Sequence, residues 1–217
     1  DVDPFSFDTK EGFMLDHVVG GRLLYPFTGF IVLAWRAICK FGGTNYLTTS
    51  VVLENFVVHR AVFITRSTQL DVIVSPCNGN FEILNDGQLS ASGKIFIVEN
   101  GKEKEKVDEN DTVGSWKNEL DNSDLFVLQA SDIYKEFLLR GYEFGPSFRC
   151  IEETRSDGLK GTIRWQDNWV TFLDATIQTL LIADKRRSSY GAMKLPTKVR
   201  YLSINPTKHM QHVLKTG

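Results

Sequence analysis

Two rhythms of apolar residues run along this chain. Phe27, Phe30, Ile31, Ala34, Trp35, Ile38 and Phe41 recur at the i, i+3, i+4, i+7 spacing of a helix face, with Pro26 suited to open the helix and Gly42-Gly43 to close it. The runs Thr49 to Thr65, Gln69 to Ser75 and Gln88 to Val98 are rich in Val, Ile and Phe and predict strands, punctuated by Ser75-Pro76 and Asn85-Asp86-Gly87. Later in the chain, Ser131 is placed to cap a short helix that runs to Arg140 and stops at Gly141. Phe148 to Thr154 and Gly161 to Trp165 predict a strand pair around the turn Ser156-Asp157-Gly158. A long helix is expected from about Asn168 to Lys185 with Asp167 as N-cap, and Leu195 to Ile204 reads as a closing strand.

The apolar pattern breaks near the middle. Glu99 to Asp111 reads ENGKEKEKVDEND, and Asp121-Asn122-Ser123-Asp124 follows shortly after. So charged a stretch buries too little apolar surface to offset the entropy of ordering it. The expected organisation is therefore an N-terminal unit over residues 1–110, a charged linker over 111–124 and a C-terminal unit over 125–217. Each half has one apolar helix among several strands. One helix cannot cover both faces of a sheet, so the economical α+β solution is a sheet wrapped around a central helix, twice over.

Composition narrows the function classes. The formal net charge of -2 argues against a nucleic-acid binder held by a basic surface. The longest apolar candidate, Phe27 to Phe41, is interrupted by Thr28, Gly29, Arg36 and Lys40, so no membrane span is expected. Three dispersed cysteines, Cys39, Cys77 and Cys150, fit neither a disulfide framework nor a cysteine zinc site, and suit a reducing, cytoplasmic setting. Asp1 stands first, with no basic-then-apolar leader, which reads as a segment of a longer polypeptide. Walker A, Gly-x-Gly-x-x-Gly and His-Glu-x-x-His patterns are missing from the sequence, leaving nucleotide, nicotinamide and zinc binding without support.

Three constellations carry candidate chemistry. His17 stands upstream of a glycine turn at Gly21, and Pro26 opens the helix. A helix N-terminus offers unpaired N–H groups, and Gly21 could let a substrate carbonyl approach such a donor while His17 removes the acidified α-proton. Asp174 and Gln178 lie four residues apart on one face of the long helix, beside Val170, Ile177 and Leu181. Burial there raises a carboxyl pKa, leaving a group able to donate a proton, and Gln178 could orient it. Gly141-Tyr142-Glu143-Phe144-Gly145-Pro146-Ser147-Phe148 is an aromatic turn suited to a pocket wall.

These motifs, in this order and spacing, resemble the dehydratase domain of animal-type fatty acid synthases and of the related modular polyketide synthases. The family's His-x-x-x-Gly-x-x-x-x-Pro stands as His17, Gly21 and Pro26, its Asp-x-x-x-Gln as Asp174 and Gln178, and its aromatic loop as Gly141 to Phe148. The stretches DNWVTFLDATIQ and LPTKVR look like the fatty acid synthase branch in particular. Phe144 departs from the family pattern, which has a second Tyr there; Tyr142 remains.

The resemblance implies a double hotdog fold in which His17 of the first half meets Asp174 of the second across a shared tunnel. It implies catalytic roles for His17, Asp174 and Gln178, and substrate contacts from Gly21, Pro26, Tyr142 and Gly145. The implied reaction is a syn-type elimination of water from a (3R)-3-hydroxyacyl thioester to a trans-2-enoyl thioester. No cofactor is implied within the domain, the substrate being carried on the 4'-phosphopantetheine of an acyl carrier protein. That carrier and the neighbouring domains of a homodimeric synthase are the implied partners. Two other readings stand beside it: a hotdog acyl-thioesterase, and a non-catalytic block within a megasynthase. Lys185-Arg186-Arg187 reads chiefly as a complement to the helix C-terminus, with carrier-protein docking as the alternative. His59 reads as structural, and His209 and His212 receive no role.

Overall fold

A computed structural model describes residues 11–65, 68–98, 125–183 and 193–216. The linker expected over 111–124 and the Lys185-Arg186-Arg187 cluster lie outside these residues. The chain forms two compact units, and they are not the two halves of the sequence. One takes its residues from Phe27–Lys106 and Thr197–Gly217, the other from Asp3–Pro26 and Val107–Pro196. Two long-range pairings make the exchange, and each hands a terminal segment to the unit built by the opposite half. Residues His17–Val19 (β1) pair with Tyr142–Phe144 (β8), and Lys198–Ile204 (β11) pairs with Val51–Val58 (β3). The division at 111–124 followed composition, which carries no information about strand partners.

In the first of these units, Phe27–Phe41 (α1) lies against an antiparallel sheet. The sheet contains β11, β3, Gln88–Ile97 (β6), Asn80–Asn85 (β5) and Leu70–Val74 (β4), in that order. The helix packs on β4, β5 and β6. Phe30, Trp35, Leu53, Phe56, Phe81, Ile83 and Ile95 form the core, all essentially inaccessible to solvent. The Phe56 ring lies 4.8 Å from Phe27 and 6.0 Å from Phe81, and the Trp35 indole donates to the Thr49 carbonyl at 3.0 Å. The expected apolar stripe of α1 holds as far as Ile38; Phe41, in the last turn, is 70% exposed. Asp86 and Gly87, both with positive φ, make the two-residue hairpin between β5 and β6. β5 itself is not among the strands expected from the sequence, because only its short apolar alternation marks it.

The other unit surrounds Trp169–Ala183 (α3). Arg22–Leu23 (β2), β1 and β8 form one three-stranded sheet, while Gly161–Ile163 (β10), Ile151–Arg155 (β9) and Val127–Gln129 (β7) form another. Ala130–Leu139 (α2) packs on β7, β8 and β9. Three expected local details move. Ser131 lies inside α2, whose N-cap is Gln129. The cap of α3 is Asn168, whose Oδ1 accepts from the Val170 and Thr171 N–H groups at 2.9 and 3.3 Å. Asp167 adopts φ 52° and accepts from the Trp165 indole instead. Phe148 belongs to a short 3-10 turn, Pro146–Phe148, ahead of β9. A helix not expected from the sequence, Pro206–Thr216 (α4), follows β11. No helix among the described residues is long and apolar enough to cross a membrane.

Phe56 is completely buried between two other rings, so truncation removes its transfer energy and leaves a cavity. Phe56→Ala is expected to lower stability by about 3–5 kcal/mol in urea unfolding, and a loss below about 1 kcal/mol would contradict this core.

Candidate active site

The site is built around the β1–β2 hairpin. Gly20 and Gly21 have φ values of 59° and 71°, the left-handed pair that a two-residue turn of this twist requires. Val19 faces Arg22 across the turn, and the returning strand brings Leu24 back to His17. The His17 Nδ1–H then donates to the Leu24 carbonyl at 2.7 Å. A carbonyl only accepts, so the ring hydrogen must sit on Nδ1 and the neutral imidazole keeps a bare lone pair on Nε2. The spacing from His17 to the glycine turn thus sets the tautomer of the imidazole.

Asp174 meets that lone pair. Its Oδ1 lies 3.8 Å from His17 Nε2, too far for a direct hydrogen bond, and both side chains are under a tenth exposed. On α3 the buried positions include Thr171, Asp174, Ala175, Gln178 and Ile182, so the carboxyl and the amide share the inward face. The other carboxyl oxygen, Oδ2, accepts from Gln178 Nε2 at 2.8 Å. Burial pushes the Asp174 carboxyl above its ordinary range, opposed by the nearby His17 and by the Gln178 hydrogen bond. The shift is towards the neutral form, which carries a proton that it can give up.

The walls are aromatic. The imidazole centroid lies 4.8 Å from the Phe148 ring and 5.4 Å from Phe144, its cross-strand partner, while Phe13 stands 6.0 Å from Phe148. Phe144, where the resemblance has Tyr, puts an apolar edge beside His17.

The remaining sequence candidates serve the frame. Gly21 lies in the hairpin turn ahead of α1, and its N–H donates to Glu143 Oε1 at 2.9 Å. The expectation of a free donor at a helix end for a substrate oxygen therefore gives way to a turn amide already engaged by a carboxylate. Pro26 is buried immediately before α1. The Tyr142 hydroxyl donates to the Lys194 carbonyl at 2.7 Å and accepts from the Lys194 N–H at 2.6 Å, using its hydrogen-bonding capacity on backbone. Gly145 is needed because a Cβ there would fall on the Asp16 carboxylate; its N–H donates to the Asp16 carbonyl at 2.7 Å. Asp16 Oδ2 also accepts from the Ser147 N–H at 2.8 Å, tying the aromatic turn to the residue next to His17.

Sequence reasoning missed Asp16, Tyr134 and Glu143. Asp16 is 131 positions from the amide it caps, and no local pattern marks such a contact. Among the described residues no cluster of His, Cys, Asp and Glu could hold a metal ion.

Residues 5–85 match the family model described as the polyketide synthase dehydratase domain. Over 148 residues the chain is 22% identical to the highly reducing polyketide synthase VdtX of Byssochlamys spectabilis, covering 68% of this chain and 6% of that much longer protein. Among solved structures, the dehydratase domain from the CurK module of curacin polyketide synthase is 22% identical, with a TM-score of 0.68 over 88% of this chain and 72% of that one. The corresponding CurF domain is 21% identical, with a TM-score of 0.67 over 89% and 73%. CurK dehydratase has also been solved as inactive mutants, one with a histidine replaced by phenylalanine and one with an aspartate replaced by asparagine. The fold is the α+β double hotdog of these polyketide synthase dehydratase domains.

The raised carboxyl makes a stability prediction. Asp174 binds its proton more tightly in the folded chain than at its ordinary value of 3.8. Its contribution is complete below that value and is lost as pH rises through the folded pKa, with a slope of up to ~1.4 kcal/mol per pH unit between the two. Asp174→Asn has no such titration. The unfolding free energy of the wild type minus that of the variant, from urea melts, is therefore expected to fall with rising pH, whereas a flat difference would mean that the carboxyl is ionised throughout.

Proposed function

We propose that this chain is the dehydratase unit of a multifunctional synthase, a hydro-lyase that removes water from a (3R)-3-hydroxyacyl thioester carried on the phosphopantetheine arm of an acyl carrier protein. The observation that carries this reading is the pair itself: a bare imidazole lone pair and a carboxyl pushed towards its neutral form, 3.8 Å apart and walled by aromatic rings. The family match over residues 5–85 and the fold support it.

The chemistry balances without a cofactor. His17 Nε2 takes the proton from C2, the electron pair of that C–H bond becomes the C2=C3 double bond, and the C3–O bond breaks. Asp174 Oδ1 gives its proton to the departing hydroxyl, which leaves as water. A neutral acid and base thereby become an imidazolium and a carboxylate, and at this separation in a low-dielectric site they attract each other as they form. Return of the proton from Nε2 to Oδ1, relayed by the released water across the 3.8 Å gap, resets the pair. Gln178 holds the other carboxyl oxygen throughout.

The parent enzyme is proposed as a fatty acid synthase on the stretches DNWVTFLDATIQ and LPTKVR alone, while the relatives named above are polyketide synthases. Neighbouring domains, an acyl carrier protein and a homodimeric parent in the cytoplasm follow from that assignment.

Incubation with a 3-hydroxybutyryl thioester, following the enoyl absorbance and free thiol together, tests the function. Dehydration is expected, with His17→Ala and Asp174→Asn each lowering the rate roughly 10²–10⁴-fold. The double variant should fall little further, because both groups serve one transition state. Thiol release without enoyl product would point to a thioesterase, and neither product to a structural block. A folded His17→Ala protein that dehydrates at the wild-type rate would remove His17 from the mechanism.

A further inference from the structure

Tyr134 ends the hydrogen-bond chain that begins at the Asp174 carboxyl. It lies on α2, 8% exposed, and its hydroxyl donates to Gln178 Oε1 at 3.1 Å. Gln178 Nε2 donates both to Asp174 Oδ2, at 2.8 Å, and to the Phe148 carbonyl, at 3.0 Å. Each polar atom of that amide is thus spoken for: the Phe148 carbonyl holds its nitrogen end and the phenol its oxygen end. The hydroxyl cannot turn away cheaply. It accepts from the Ile151 N–H at 2.9 Å, and its single hydrogen has only the Phe148 carbonyl, at 3.4 Å, as an alternative acceptor. Burial raises the phenol pKa well above its usual value, so it remains a donor across the working range.

An amide N–H on Oδ2 makes that oxygen an acceptor, and a neutral carboxyl must then carry its hydrogen on the other oxygen. We propose that Tyr134 is a positioning residue that, by fixing the Gln178 amide, places the Asp174 proton on Oδ1, the oxygen that faces His17 Nε2. Were the amide reversed, its carbonyl would meet Oδ2 and draw the proton there, on the wrong side of the acid. This inference rests on the dehydratase reading for its catalytic consequence, but the orientation of the carboxyl is a property of the folded chain and can be read without turnover.

The test is Tyr134→Phe, which keeps the ring and its packing 5.8 Å from Phe137. Losing one neutral hydrogen bond in the chain is expected to lower kcat roughly 3- to 10-fold with KM within about twofold. In a Gln178→Ala background the same substitution is expected to change kcat by less than about 1.5-fold, since the effect passes through that amide. The amide N–H favours the charged carboxylate, so loosening it moves the carbon-13 titration midpoint of the Asp174 carboxyl, and the alkaline limb of the rate, to higher pH. The other groups facing this carboxyl are His17 from β1 and Cys150 beyond the 3-10 turn, with Arg149 and Arg164 acting at one remove through Tyr134 and Cys150. They are unchanged in the variant.

An equal loss in both backgrounds, or an unmoved midpoint, would overturn the proposal and leave Tyr134 a support for Ile151. Should wild-type protein show no dehydration, the functional reading fails while the carboxyl titration still decides this one. If the phenylalanine variant does not fold, hydrogen exchange of the Gln178 side-chain amide in wild type decides: slow exchange of both hydrogens supports a fixed amide, and exchange at the solvent rate overturns it.

Discussion

A carboxyl group buried on the inner face of a helix constrains everything around it. Asp174 is 6% exposed, and leaving it charged and unpaired there would cost several kcal/mol. Burial moves the group towards its neutral form, and the chain surrounds it with oriented donors and acceptors. α3 must therefore carry Gln178 one turn on, the Phe148 carbonyl must face that amide, and the 3-10 turn Pro146–Phe148 must hold the carbonyl in place. Asp16 secures the turn through the Gly145 and Ser147 N–H groups. The same aspartate precedes His17 in the chain, so the Asp174 carboxyl and the His17 imidazole are anchored through one loop.

The imidazole of His17 is oriented by equally plain means. A two-glycine turn returns Leu24 to His17, and one backbone carbonyl then fixes which ring nitrogen is protonated. Strand β8, on the other side of β1, supplies Phe144 in register with His17. Aromatic surface lowers the local dielectric, so any charge on the imidazole or the carboxyl is felt more strongly by the other. Core packing and the walls of the candidate site depend on the same rings.

Much of the local structure is legible along the chain. The α1 periodicity as far as Ile38, the strand break at Asp86-Gly87 and the stop at Gly141 reflect interactions within a few residues. Each is found where the pattern places it, although the strand that makes Asp86-Gly87 a hairpin is not among those expected. The misses are of two kinds. Adjacent polar residues compete for one cap: Asn168 takes it while Asp167 turns to Trp165, a choice of a few tenths of a kcal/mol between neighbours. Short strands such as β1, β2 and β8 are too brief to show an alternation and exist only because they pair with one another.

Read along the chain, the residues supply the candidates of the site: a histidine ahead of a glycine turn, an Asp-x-x-x-Gln on one helix face, an aromatic loop, and two helices each needing a sheet. Which of them meet is set by the folded chain. It moved residues before Phe27 into the unit built by the second half, so that His17 and Asp174 belong to one compact unit and not to two. It engaged the Gly21 amide with Glu143, gave the Tyr142 hydroxyl to Lys194, and brought Tyr134 to Gln178. The reason is one of range. Helix faces and turns are set by neighbours a few residues away, whereas contacts that assemble the site join positions 44 to 131 residues apart, and no local pattern records which distant group will be there.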